Sequence, residues 1–262
     1  MKFSLQHLAS QASLVSLLIL QGASPVDAHY GFPLVIINGI ASAWWEYVRP
    51  TGLDSFGGQW FPNYDWFTEP QVCGVNGTKT GHRTKTAVVE AGSRVDFLAF
   101  AATYVEGYIE PREFNRGDGV GHPGPGQFYL SKAPGAIEDY EGDGEWFKIG
   151  LSGASDGQHW DSDGQASLNV TIPKTTPPGK YLLRVEHFNI QPYYNQTQMY
   201  VNCAQIEITG PGGGTPGPTI KFPGGYDPKD PGIWIPRSMY QPYKPSELLK
   251  NYKGPGPAVW KG

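Results

Sequence analysis

The sequence predicts an all-β chain, a sandwich or a barrel, on three observations. It holds 35 glycines and 24 prolines, residues that break helices and favour turns. Aromatic residues make up 13% of it. Short runs with alternating apolar residues recur between turn clusters, and no amphipathic helix of any length interrupts them.

Taken in order, residues 1–28 predict a secretory signal. Lys2 gives a positive start, Leu14–Leu20 is a short apolar core, and Val26-Asp27-Ala28 offers a cleavage site. Cleavage there makes His29 the first residue. No later run reaches the roughly 18 apolar residues of a membrane span, so an exported, soluble protein without a membrane partner is expected. Pro33–Ile40 reads as a first strand. Residues 41–80 read as a long loop crowded with Trp44, Trp45, Tyr47, Trp60, Tyr64, Trp66 and Phe67. Such a loop either packs on the sheets or serves binding. Thr84–Glu90 and Arg94–Ala102 read as strands joined by a turn at Gly92, and Glu106–Gly121 as a polar loop leading to His122. Gln127–Lys132, Glu145–Ile149 and Ala166–Ile172 are further short strands.

The strongest strands are Lys180–Phe188 and Gln198–Ile208. Period-two spacing puts Tyr181, Leu183, Val185 and His187 on one face. In the second, Met199, Val201 and Cys203 share a face, and the apolar parity then switches to Ala204, Ile206 and Ile208, which predicts a bulge near Cys203. The Gly/Pro-rich stretch 211–218 introduces a tail whose length is too small for an independent domain. Its aromatic content predicts packing on the sandwich rather than disorder. The expectation is one domain over 29–262, with 211–262 wrapped on it.

A net charge of -4 without a basic run argues against nucleic acid as a partner. Two cysteines, Cys73 and Cys203, predict one disulfide in an oxidising compartment. Sequons at Asn76, Asn169 and Asn195 agree with secretion.

Six histidines occur. His7 leaves with the signal, and His82 and His159 read as surface residues. His29 at a free N-terminus would offer an α-amine and an imidazole from one residue. With His122, in Gly121-His122-Pro123-Gly124-Pro125, that set suits Cu(II) in a plane of nitrogens, whereas zinc more often takes a fourth ligand. On spacing alone, structural roles for these histidines stand beside the metal reading.

Further motifs decide between them. The post-signal His29, the run at His122, Leu183-Arg184-Val185-Glu186-His187, Gln198–Ile206 and the closing Gly254-Pro255-Gly256-Pro257-Ala258-Val259-Trp260 occur in one order. Together they resemble the fungal lytic polysaccharide monooxygenases of auxiliary-activity family nine, once classed among glycoside hydrolases, over nearly all of residues 29–262. The resemblance implies an immunoglobulin/fibronectin III-like antiparallel β-sandwich with long loops and a wrapped C-terminal tail. It implies one copper ion held by the amine and Nδ1 of His29 and by Nε2 of His122, with the Tyr200 phenol a distant axial ligand. His187 and Gln198 follow as outer-sphere groups beside the open position of the metal, sharing catalysis with Tyr200. The implied activity is oxidative cleavage of cellulose or a related β-1,4-glucan by a monomer, with O2 or H2O2 and an external electron donor. Tyr30, Tyr240 and Tyr243 are candidate sugar-stacking residues, with packing the competing role of each. Residues 110–121, longer and more charged than the family pattern, and an insertion over Ile235–Tyr252 bear on substrate choice. A hydrolase would need two carboxylates flanking one bond, and no motif sets such a pair beside His122. The remaining alternative is a secreted copper- or carbohydrate-binding sandwich without turnover.

Overall fold

A computed structural model describes residues 29–52, 60–105, 108–111, 119–241 and 244–262, with 101–105 and 108–111 as backbone only. Residues 1–28, read as a signal, therefore lie outside the described residues, as do Tyr243 and residues 112–118. The described chain is an all-β sandwich. One sheet holds β1 (Tyr30–Ile37), β2 (Ile40–Ala41), β4 (Arg94–Val105), β5 (Tyr108–Pro111) and β8 (Ser167–Thr171). The other runs in the order β11 (Thr219–Ile220), β7 (Trp146–Ser152), β6 (Gly126–Lys132), β9 (Gly179–Asn189), β10 (Gln198–Thr209) and β3 (Ala87–Glu90). Pairing is antiparallel except between β3 and β10. The turn at Gly92, where φ is +97°, carries the chain from one sheet to the other rather than closing a hairpin.

The core between the sheets is built from alternate residues of facing strands. Phe32, Val35, Val95, Phe97, Phe128, Leu130, Leu183, Val185, Ala204 and Ile206 all bury there. A second apolar cluster covers the outer face of the larger sheet. It joins Trp146, Leu182, Phe188, Met199 and Val201 to Trp66 and Val72 and to tail residues Phe222, Ile233, Tyr240 and Leu249.

This double burial corrects the reading of β10. Its register against β9 is unbroken from Gln198↔Asn189 to Ile208↔Gly179, so no bulge lies at Cys203. Met199, Val201 and Cys203 are apolar because α1 (Pro70–Cys73) and the tail cover them. The opposite face buries Tyr200, Ala204, Ile206 and Ile208 in the core, and between them Asn202 Oδ1 accepts from Phe32 N at 3.0 Å. Two other strands depart from their predicted bounds. β1 begins at Tyr30 rather than Pro33, and β4 runs to Val105 and pairs with β5, inside the segment read as loop.

Cys73 and Cys203 form the disulfide, with Cα atoms 5.1 Å apart, so α1 is fastened to the middle of β10. The tail wraps the sandwich: β11 pairs with β7, the Lys148 Nζ donates to Pro255 O at 2.6 Å, and the Trp260 ring meets Phe147 at 5.4 Å.

Candidate metal centre at one end of the sandwich

The site lies where β1 leans across the end of the sandwich onto β10. The Tyr30 ring stacks on Tyr200, centroids 4.1 Å apart and 16° from parallel. The His122 ring is 6.1 Å from Tyr30 and 5.9 Å from Tyr200. His29, next to Tyr30, is half-buried and sets its ring against Phe61 at 5.1 Å. Burial lowers the His29 pKa, which favours the neutral ring, the form that ligates a metal.

Tyr200 and Gln198 sit two residues apart on one face of β10. The Tyr200 hydroxyl donates to Gln198 Oε1 at 3.2 Å, and the Asn189 amide donates to the same oxygen at 2.8 Å. Gln198 Nε2 donates to the Tyr64 hydroxyl at 2.8 Å. Paired backbone bonds between Asn63 and Met199, 2.9 Å each, hold the Phe61–Tyr64 segment against this end of β10.

His122 hangs from the loop before β6, and Gly124 fixes that loop's path. A Cβ at position 124 would lie 1.7 Å from the Phe188 carbonyl, so only glycine lets the loop press onto β9. Phe188 N in turn donates to Pro125 O at 3.1 Å.

The sequence-derived site set is thus divided. Tyr30, His122, His187, Gln198 and Tyr200 come together, with His29 beside them. The sugar-stacking role of Tyr30 and Tyr240 is corrected: they are 1% and 2% exposed, and neither offers a ring face to a polysaccharide. Tyr240 belongs to the second apolar cluster and accepts from Trp160 Nε1 at 2.8 Å. Tyr243 is outside the described residues. His187 is corrected too. It is fully buried, its Nδ1 meets the Tyr30 hydroxyl, and its Nε2 lies 3.1 Å from both Gly124 O and Ser162 Oγ. Burial, with His122 nearby, pushes its pKa down to about 3. Both nitrogens face protein, so the ring does not reach an open surface. His82 and His159 are exposed, each beside an aspartate. Asn169 and Asn195 are exposed, while Asn76 is half-buried.

Sequence reasoning missed the surface aromatics Phe61, Tyr193 and Tyr194 and left Tyr64 and Phe67 undecided. Phe61, Tyr64 and Phe67 are 54%, 45% and 63% exposed, while Trp60 and Trp66 in the same segment are buried. Tyr193 and Tyr194, in the loop before Gln198, are also exposed. The signal available was the crowding of aromatics in residues 60–67.

Among the described residues, no group of three or more His, Cys, Asp or Glu is poised for a metal. The candidate donors are of another kind, the imidazoles of His29 and His122 with the Tyr200 ring 5.9 Å from that of His122, and imidazole donors fit copper. No helix among the described residues is long and apolar enough to cross a membrane.

Comparison with known proteins agrees with this architecture. The profile described as Auxiliary Activity family 9 (formerly GH61) matches residues 29–249. The chain is 40% identical to the AA9 family lytic polysaccharide monooxygenase U of Thermothielavioides terrestris, over 90% of this chain and 93% of that protein. It is 38% identical to monooxygenase C of Emericella nidulans, over 92% and 95%. The crystal structure of HiLPMO9B superposes with a TM-score of 0.66 at 26% identity, covering 89% of this chain and all of that one. A cellulose-active polysaccharide monooxygenase from M. thermophila gives 0.65 at 26% identity, with the same coverage. The chain therefore belongs to Auxiliary Activity family 9, the lytic polysaccharide monooxygenases.

Proposed function

We propose that the chain is exported, is cleaved before His29, and then oxidatively cleaves cellulose or a related β-1,4-glucan around one copper ion. The α-amine and Nδ1 of His29 and the Nε2 of His122 would hold the metal, with the Tyr200 phenol beside them. Bound copper supplies one-electron redox chemistry and the activation of O2 or H2O2, with electrons from an external donor.

The chain's own groups organise the rest. The Gln198 amide, held between Asn189, Tyr64 and Tyr200, has a fixed orientation beside the site. Phe61, Tyr64 and Phe67 offer exposed ring surface for stacking on sugars, in place of Tyr30 and Tyr240. The observation that carries the reading is the convergence of Tyr30, His122, Gln198 and Tyr200 at the point where a processed N-terminus would begin. The family match, which starts at His29, supports the cleavage point. Exposed Asn169 and Asn195 are the sequons best placed to carry glycans, and a monomer with polysaccharide as its partner fits this arrangement.

The test uses secreted protein with its N-terminus determined, incubated with cellulose, copper, a reductant and O2 or H2O2. Oxidised chain ends in the product mass spectra are expected. An extra residue before His29 converts the amine to an amide and is expected to weaken copper binding sharply. Products of hydrolytic mass only would overturn the oxidative reading. Copper or glucan binding without products would assign the chain to the non-catalytic alternative.

A further inference from the structure

His187 carries more than a core position requires. Its Nε2 faces the Gly124 carbonyl at 3.1 Å, and a carbonyl only accepts, so Nε2 bears the proton. In the neutral ring Nδ1 is then an acceptor, and the Tyr30 hydroxyl donates to it. The Ser162 hydroxyl, 3.1 Å from Nε2, also donates to Gly124 O. One buried imidazole thus bonds to two chain segments at once. Tyr30 immediately follows His29 on β1, in one sheet. Gly124 lies two residues beyond His122, in the loop before β6. His187 stands on β9, in the other sheet.

Nothing else about this part of β9 requires a histidine. Tyr181, Leu183 and Val185 share its face and are apolar core residues. The polar ring at 187 sits where the two histidine-bearing segments approach, and its two nitrogens point one to each. Gly124, which cannot carry a side chain without striking Phe188 O, brings its carbonyl to the imidazole because it has none. Tyr30, held at its hydroxyl by His187, packs its ring on Tyr200.

We propose that His187 is a positioning residue, a buried neutral imidazole that clamps the Tyr30 and Gly124 segments and so sets the separation of His29 and His122. The proposal rests on the copper reading of those two residues. It departs from the outer-sphere role that the family resemblance assigns to His187. An outer-sphere group tunes turnover while leaving the resting metal as it was. A clamp acts on the metal's ligands before any substrate arrives.

The test uses Tyr30→Phe, which keeps the ring stack and removes the bond to Nδ1, with His187→Gln and the double variant. Copper affinity is measured by calorimetry and ligand geometry by Cu(II) EPR. Each single variant is expected to bind copper about tenfold more weakly with a changed EPR spectrum. The double variant should be little worse than the worse single one, since both break the same bond. Unchanged affinity and spectrum in Tyr30→Phe, or strictly additive losses, would overturn the clamp. Should His187→Gln fail to fold, Tyr30→Phe alone decides. A separate arm needs no metal: nitrogen-15 NMR of the copper-free protein should show His187 protonated at Nε2 and shielded from solvent exchange. The opposite tautomer would overturn the clamp. A wild-type protein that binds no copper at all would instead overturn the functional reading, while the NMR arm still reports on the clamp.

Discussion

Gly124 is the residue on which the site's geometry turns most sharply. Its backbone lies so close to β9 that a methyl group would fall 1.7 Å from the Phe188 carbonyl, inside any real contact distance. The loop must back away to admit one, and His122, two residues earlier, moves with it. Gly124→Ala is therefore expected to destabilise the fold by about 1–3 kcal/mol, the range for a substitution that overpacks a buried position, and to weaken copper binding beyond what the lost stability explains. Thermal unfolding of copper-free protein measures the first and calorimetric titration the second. An unaltered midpoint with unaltered affinity would show that the loop yields without consequence. His187 teaches a related lesson. The alternation that sets it on the face of Tyr181, Leu183 and Val185 already marked it as interior. That burial was legible in the sequence, and the family resemblance, read residue by residue, drew it towards an outer-sphere role instead. Which partners a buried imidazole finds, Tyr30 on one side and Gly124 on the other, is a property of the packing of two sheets and has no local sequence signal.

At the scale of elements, β10 is the spine. It pairs with β9 from Gln198 to Ile208 and with β3 from Ile206 to Thr209, gives Gln198 and Tyr200 to the site, and carries Cys203. Its existence was legible from Val201, Ile206 and Ile208. The inferred bulge was not real because period-two reasoning assumes one wet face, and here both faces are covered. The cover over Met199, Val201 and Cys203 comes from α1, only four residues long. Propensity cannot stabilise so short a helix. Its fastening comes instead from the disulfide and from Arg184, fully buried, which donates to Gln71 O at 2.7 Å and Val72 O at 2.9 Å. The guanidinium also lies over the Phe222 ring at 4.2 Å and pairs with Glu186 at 2.6 Å. The disulfide closes a loop of 130 residues, for which the chain-entropy model gives about 4–5 kcal/mol. A double Cys73→Ser, Cys203→Ser variant is expected to lose stability of that order in denaturant unfolding and to expose α1 to early proteolysis. A midpoint equal to that of the wild type would mean that Arg184 and the apolar cover hold α1 unaided.

The whole molecule is a sandwich closed by its own tail, and one buried amine marks the closure. Lys148, 1% exposed on β7, donates to Pro255 O at 2.6 Å and accepts the tail again through its carbonyl, which receives Trp260 N at 2.8 Å. Burial lowers its pKa to about 8, against the opposing pull of Glu186 and Asp230. The unfolded amine titrates near its ordinary value of 10.5. Below pH 8 the amine is charged in both states, and folding bears the full cost of burying that charge. Above 10.5 it is neutral in both and the cost is gone. Between those limits the unfolded chain holds more of the proton than the folded one, so stability rises with pH. The gain is on the order of a few kcal/mol across the whole interval, at about 1.4 kcal/mol for each tenfold difference in proton affinity. Tyr129, Tyr226 and Tyr252, whose hydroxyl pKa values burial raises, begin to oppose it only above pH 10, which leaves pH 8 to 10 as the window to measure. Lys148→Met keeps an unbranched side chain one atom shorter and removes the titrating amine. Denaturant unfolding across this window is expected to show wild-type stability climbing relative to the variant, with the two curves converging towards pH 10. Parallel curves would show that the tail's closure does not depend on the charge of this amine.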